Sequence, residues 1–463
     1  MSQRTVVVGN GVLALSLAVE LVSRKHPGEI LVVGQPARPG CATLAAGAML
    51  NSFAELEEGS LDTPIDRTRF DLSREATSAW TSWVGKLRSM GAEVEPRWGT
   101  VILNNAASNA LDDANFNAIL AALKDFNEPF EEIDPSSIRG YSPSPRSRAI
   151  RAIRLPREGY VNPRDLLSAY ERILIASERV KFVPASVTGL RIEDSKIQGV
   201  QIEDGEPLTA DTVIIANGAG CSRLFAEHLE LRDIPRVFYG VGCSLLVNTG
   251  DLTPDTVIRT PNRGLACGIY QVPYERGVSC IGATNFISPE PEFHVRLTSA
   301  EALMRAAMDQ LNTGYYKAGL AKINIGFRPT SADTYPILGK TRVPGLFVMS
   351  GTKRDGIHMA PIWAAEMANL IFGAAADPRI DAFRPHRPLI REMTKERAIA
   401  KTLRHMLSAA YQHDFELPKM GWERRIEDFL SARIEDVYRE TGITDFGIPP
   451  ELLDMYKYGH ITK

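Results

Sequence analysis

The residues whose types and spacing could do chemistry begin near the N-terminus, where an apolar run, Thr5-Val6-Val7-Val8, ends in Gly9-Asn10-Gly11-Val12-Leu13-Ala14. In this spacing Gly9 allows a tight turn, Gly11 lets the backbone approach a pyrophosphate, and Ala14 is small enough for close helix–strand packing. The helix that follows offers free N–H groups and a positive dipole end to an anion. This is the chemistry of a dinucleotide cradle, although a lone glycine turn after a strand is as often a purely structural device. Two further apolar runs end in comparable turns. Residues 211–215 lead into Ala216-Asn217-Gly218-Ala219-Gly220, and residues 346–350 into Gly351-Thr352-Lys353-Arg354-Asp355-Gly356-Ile357-His358-Met359-Ala360-Pro361, which opens a helix to Ile371. Between the first two turns, Cys41-Ala42-Thr43-Leu44-Ala45-Ala46-Gly47-Ala48-Met49-Leu50 would let backbone and the Thr43 hydroxyl sit close to a ligand. The bland reading of that run is a loosely packed helix start.

These turns need elements to hold them. Glu29-Ile30-Leu31-Val32-Val33 reads as a second buried strand, and with the helix at residues 13–25 it completes a βαβ unit. Where such a unit carries an acid for a ribose hydroxyl, this chain has Gly34-Gln35. Two readings follow: the Gln35 amide takes the ribose contact, or the strand is right and the nucleotide wrong. Helical patterns follow at 70–89, 115–123 and 166–175, with strands at 99–103, 180–183 and 186–190. From 236 to about 330, runs such as 241–247, 268–273 and 278–284 predict an antiparallel sheet, with Glu275-Arg276-Gly277 turning a hairpin. Beyond Ala374 the chain turns helical and charged, over 389–413 and 422–440, and reads as a separate appendage. There Ile426, Phe429 and Ile434 recur at near-helical spacing, as a core-facing stripe would.

With 463 residues, a net charge of −3 and 24% charged residues, the chain has room for two or three domains, and no block of like charge marks a nucleic-acid or membrane partner. A small-molecule partner is expected. No apolar run reaches the roughly 18 residues of a membrane span, and Met1-Ser2-Gln3-Arg4 leads into the first strand without a signal peptide, so the cytoplasm is the expected compartment. The five cysteines (Cys41, Cys221, Cys243, Cys267, Cys280) lack C-x-x-C spacing, which disfavours both zinc and a disulfide framework.

Taken together, residues 4–372 resemble the D-amino-acid oxidase and glycine oxidase family of flavoproteins, nearest in pattern to glycine oxidase. The cradle, the Thr43 to Met49 segment, the turn ending in Gly220, the Arg328-Pro329 segment and the Gly351 to Pro361 turn occur in family order. The resemblance implies an α/β fold: an FAD-binding doubly wound (Rossmann-like) domain, an antiparallel-sheet substrate domain and a C-terminal helical extension. The implied boundaries are 1–60, 150–232 and 325–374 for the first, 61–149 and 233–324 for the second, and 375–463 for the third. It implies FAD contacts from Gly9, Gly11, Val12, Leu13, Ala14, Gly34, Gln35, Ala42, Thr43, Gly47, Ala48, Met49, Val187 and Gly218, and from Thr352, Lys353, Arg354, Asp355, Gly356, Ile357 and His358. The chain departs from the family at Gly34, in the ribose-acid position, and at Gly47-Ala48, where Ala-Gly is usual. Some relatives attach flavin through a cysteine at the position of Gly326, so FAD is expected to be noncovalent here.

The family fixes a substrate carboxylate with an arginine and a tyrosine matching Arg328 and Tyr270, and Arg354 matches a second substrate-side arginine. A planar guanidinium fork binds a carboxylate bidentately, and a phenol adds one donor. Asn51 matches a position near the substrate. Each has a plainer alternative: Arg328 as a surface or salt-bridged residue, Tyr270 as packing, His358 as a core or capping imidazole rather than a tuner of the flavin. The implied reaction is oxidation of an amine or amino acid by hydride transfer to flavin N5, giving an imine that water hydrolyses, with oxygen the expected acceptor. Two rival readings are a flavin dehydrogenase of a hydroxy or imino acid with a non-oxygen acceptor, and a non-catalytic flavin-binding scaffold whose tail binds a protein. The tail could also build a homo-oligomer or a lid, packing onto its own body being commoner.

Overall fold

The computed structural model describes residues 3–105, 107, 109–264, 267–412 and 421–461. Its first layer is a six-stranded sheet in the order Ile337–Lys340, Leu346–Ser350, Thr212–Ile215, Arg4–Val8, Glu29–Val33, Val180–Val183. All pairs are parallel except the first. Side chains alternate across it. Val7, Ile30, Val32, Ile214 and Met349 face the helices Val12–Ser23, Pro163–Ile175 and Ala360–Ile371. Val6, Val8, Leu31, Val33, Val213, Ile215 and Val348 face the other way, onto the three-stranded meander of Val187–Glu193, Lys196–Ile202 and Leu208–Thr209. Burial on both faces explains why these strands read as unbroken apolar runs. Because Arg4–Val8, Thr212–Ile215 and Leu346–Ser350 run parallel, their glycine turns emerge at one edge of the sheet.

The second layer is a ten-stranded sheet whose main path runs Phe286–Ser288, Val237–Asn248, Val278–Gly282, Tyr270–Glu275, Val257–Arg259, Arg97–Asn105, Ala149–Tyr160, Met49–Leu50. Gly319–Ser331 pairs along Val237–Asn248, and Glu131–Ile133 along Ala149–Tyr160. The expected hairpin turns at Glu275-Arg276-Gly277, with Gly277 at φ 78°. One departure from antiparallel pairing is Val257–Arg259 against Arg97–Asn105, which is parallel.

The C-terminal extension folds onto the body. Helices Lys395–Gln412 and Trp422–Thr441 and the short turns Pro450–Leu452 and Leu453–Lys457 build a cluster of Ile434, Val437, Tyr438, Ile443, Phe446, Ile448, Leu452 and Tyr456 against Phe238 and Ala332 of the main body. The expected stripe of Ile426, Phe429 and Ile434 is corrected: Phe429 is 59% exposed, and the buried face is Ile434, Val437 and Tyr438. The inward direction is fixed by Tyr438, whose hydroxyl accepts the Ile448 N–H at 2.8 Å. The reading of helix as far as residue 413 ends outside the described residues. Among the described residues no helix is long and apolar enough to cross a membrane.

Candidate active site

The three glycine turns and the small-residue segment wall one cleft with a cavity of about 480 Å³. Its lining brings together Gly9, Gly11, Val12, Leu13, Gly34, Gln35, Ala42, Thr43, Gly47, Ala48, Met49, Val187, Gly218 and all of Thr352–His358, with Tyr270, Arg328 and Asn51 at the same cleft. Of the residues expected at the ligand, Ala14 alone lies off the wall, fully buried in the core beneath it. Its smallness serves helix–strand contact.

At the cradle end Gly9 sits at φ +117°, where a Cβ would lie 2.5 Å from the Ala216 carbonyl oxygen. The Thr43 hydroxyl accepts the Val12 N–H at 3.2 Å, so the small-residue segment caps the first turn of the helix. At the position where an acid is expected, a Cβ on Gly34 would meet the Asn10 side-chain amide carbon at 2.6 Å. Asn10 Nδ2 donates to Gln35 O at 2.9 Å, and Gln35 Nε2 to Ser186 Oγ at 2.7 Å. Arg38, which sequence reasoning missed, lines this end, donates Nε to Asn10 O at 3.0 Å and pairs with Glu171. A lone arginine in a Pro/Gly loop carries no signal of such a place.

At the other end the Tyr270 ring lies between two glycines. A Cβ at Gly47 would come within 2.7 Å of it and one at Gly282 within 2.4 Å. Burial pushes the Tyr270 hydroxyl well above the usual range, leaving a neutral phenol. Arg328 is half-buried; its Nη1 donates to Thr284 O at 2.9 Å and Asn285 Oδ1 at 3.3 Å. Both acceptors are neutral, and among the described residues no carboxylate pairs with it. Gly242 makes the room, since a Cβ there would lie 2.0 Å from Arg328 Nη1. Arg354 reaches the cleft too, but already engaged: Nη1 is 3.6 Å from Glu55 Oε2 and 3.5 Å from Cys267 Sγ, and Nη2 is 3.7 Å from Glu57 Oε1.

Glu55 was not legible as a cleft residue. It belongs to the short turn Phe53–Glu55, which the buried Glu158 carboxylate organises by accepting the N–H groups of Ser52 (2.7 Å), Phe53 (2.5 Å) and Ala54 (3.3 Å). Burial outweighs those donors and pushes the Glu158 carboxyl up to about 7. The fully buried Arg259 holds the other oxygen of Glu55 at 2.5 Å. These contacts join residues more than a hundred apart in sequence, and no local spacing announces them.

His358 is 3% exposed; burial pushes its imidazole below the usual range, and Nε2 lies 2.9 Å from the Ser73 carbonyl. Its Nδ1 and Asn217 Oδ1, both on cleft-lining residues, are buried without a protein partner. Orphaned polar atoms of this kind call for a ligand or water. With a glycine cradle at one end and these atoms along its wall, the cleft fits an extended dinucleotide.

Residues 4–370 match the family described as DAO, FAD dependent oxidoreductase. The chain belongs to that family. Its cofactor is FAD, and the residues present fit it. The oxidoreductase is 26% identical over 391 residues to the bifunctional protein ThiO/ThiG of Nostoc sp., an overlap of 83% of this chain and 55% of that protein. It thus spans about half the length of the curated relatives it matches. Among solved structures, glycine oxidase from Geobacillus kaustophilus superposes with a TM-score of 0.70 at 22% identity, covering 84% of this chain and 100% of that one. Iminodiacetate oxidase from Chelativorans gives 0.68 at 22% identity, covering 82% and 99%. These two likenesses carry the fold, a mixed α/β architecture with a Rossmann-like parallel sheet. The extension beyond residue 370 lies outside the family match.

Proposed function

We propose that this oxidoreductase oxidises a small amino acid or related amine at the carbon bearing nitrogen, giving an imine that water hydrolyses, with oxygen as the electron acceptor. The observation that carries the reading is Arg328: a cleft-lining guanidinium whose protein partners are neutral, near a neutral buried phenol. A guanidinium in this state is a site for an external carboxylate. Arg328 binds and orients that carboxylate, and Tyr270 adds a single donor. Met49 and Phe327 contribute apolar surface to the wall of the same cleft. Bound FAD supplies the acceptor for the hydride. Orientation of the substrate is then the main task left to the protein. The relatives named glycine oxidase and iminodiacetate oxidase act on amines with carboxylates, which supports the same class here.

We also propose that FAD is held without a covalent bond. At Gly326 a Cβ would lie 2.7 Å from Ala45 Cβ and 3.0 Å from Ala42 Cα, leaving no space for an attaching side chain. Anaerobic titration of the yellow holoenzyme with glycine, sarcosine, D- and L-amino acids and hydroxy acids tests the function. Bleaching of the visible flavin band by one amine class, and rapid recovery in air, is the expected result. Bleaching by hydroxy acids alone overturns the amine reading, and slow recovery in air overturns the choice of acceptor.

A further inference from the structure

The extension reaches the substrate end of the cleft from behind. Helix Lys395–Gln412 turns a row of basic side chains toward segment 55–62. Arg397 donates to Gly59 O at 2.8 Å and pairs with Asp62 at 2.9 Å, Lys401 Nζ lies 2.7 Å from Glu57 Oε2, and Arg404 pairs with Glu58. His405 Nε2 stands 3.8 Å from the same Glu57 oxygen. Positions 397, 401, 404 and 405 fall one helical turn apart and share a face. From the opposite side the segment presents Glu55 and Glu57 to Arg354 at 3.6 and 3.7 Å. A second cavity of about 210 Å³ lies behind the cleft wall, and Glu55, Lys353, Arg354 and Asp355 line both spaces. Burial opposes the charge on Glu57, but Lys401, His405 and Arg354 outweigh it and hold its carboxyl well below the usual range.

Arg328 and Arg354 therefore differ in kind. Arg328 meets neutral acceptors, and Arg354 meets two carboxylates of its own chain. We propose that Glu55, held by Arg259, and Glu57, held by the C-terminal helix, are specificity-determining residues that occupy the Arg354 guanidinium and restrict the substrate to amines bearing one carboxylate. The proposal rests on the amine-oxidising reading above and deepens it. From the cleft, a second substrate carboxylate reaching Arg354 must compete with Glu55, which lines that space, while Glu57 holds the same guanidinium from the second cavity behind the wall. Glu57 acts through Arg354, and Lys401 acts through Glu57; both are positioning residues.

The test compares holoenzyme and Glu57→Gln with glycine, which has one carboxylate, and iminodiacetate, which has two. The ratio of kcat/KM for iminodiacetate over glycine is expected to rise about tenfold or more in the variant. A parallel arm needs no turnover: acetate and diglycolate, which have no amine to oxidise, are titrated against the flavin absorbance band. The ratio of their dissociation constants should shift by a similar factor toward diglycolate. Unchanged ratios in a variant that retains FAD overturn the proposal, as does wild-type protein binding diglycolate more tightly than acetate. If no amine bleaches the wild type, the functional reading fails while the ligand arm still decides this one. Should Glu57→Gln not hold FAD, Glu55→Gln carries the same readout: it removes the other carboxylate on Arg354, the ratios move toward the dicarboxylate, and Glu55→Asp, which keeps the charge, restores them. Unchanged ratios in Glu55→Gln overturn the proposal as well.

Discussion

At the scale of single residues the site turns on which charges are already spent. Arg328→Ala removes the fork whose partners are neutral, and a lost carboxylate–guanidinium contact is worth about 2–4 kcal/mol, or roughly 30- to 1,000-fold in kcat/KM. Steady-state kinetics should show that loss for every carboxylate substrate, with FAD content unchanged. Arg328→Lys should recover little, since an ammonium cannot match the bidentate geometry. Tyr270→Phe removes one donor and is expected to cost about 1 kcal/mol, roughly fivefold, in the same measurement. That both residues lie on one cleft was legible from the order of motifs along the chain. The state of each side chain was not. Room for Arg328 is made by Gly242 on the neighbouring strand, and Arg354 is neutralised by Glu55 and Glu57, through contacts that sequence spacing does not encode.

At the scale of elements the parallel sheet was the most readable part of the molecule, because strands buried on both faces must be apolar throughout. Glu29–Val33 and Leu346–Ser350 fall where the apolar runs placed them, and the 275–277 hairpin turns as its glycine requires. The C-terminal stripe misled, because helical spacing alone does not say which of two apolar faces is covered; Tyr438 and its bond to Ile448 choose the 434–437–438 face. The Gln35 ambiguity could not be resolved locally either, since Asn10, on the other side of the turn, fills the space a side chain at 34 would need. Gly9 is where element geometry is least forgiving. Gly9→Ala would force a Cβ to 2.5 Å from the Ala216 carbonyl at φ +117°, so the strands beside the cradle must part. Overpacking of this sort costs about 1–3 kcal/mol. Urea unfolding should show a lower midpoint for this variant even without FAD, and FAD titration should show weaker binding.

At the scale of the whole molecule the extension is joined to the flavin-side turn by charge as well as by packing, and these joints span distances that no sequence window covers. Arg404 and Glu58 are 346 residues apart, Lys353 and Glu451 98 apart. Lys353 sits in the turn that lines the cleft, and Glu451 in the turn Pro450–Leu452 of the extension. Burial opposes the charge of Glu451, but Lys353 and the neighbouring Lys401 outweigh it and hold the carboxyl down to about 2, against an ordinary value of 4.5. For a carboxyl lowered in the folded state, the unfolded chain binds more protons through this interval, so stability is present above pH 4.5 and is lost as pH falls through about 2. That gap corresponds to about 3 kcal/mol at most, because burial also pushes the Lys353 ammonium down and offsets part of the gain. Glu451→Gln should therefore be less stable than the parent at pH 7, with the difference closing as the pH approaches 2. Urea unfolding of the full-length holoenzyme across this range measures it; a difference that stays constant down to pH 2 would assign the joint to packing rather than to the ion pair.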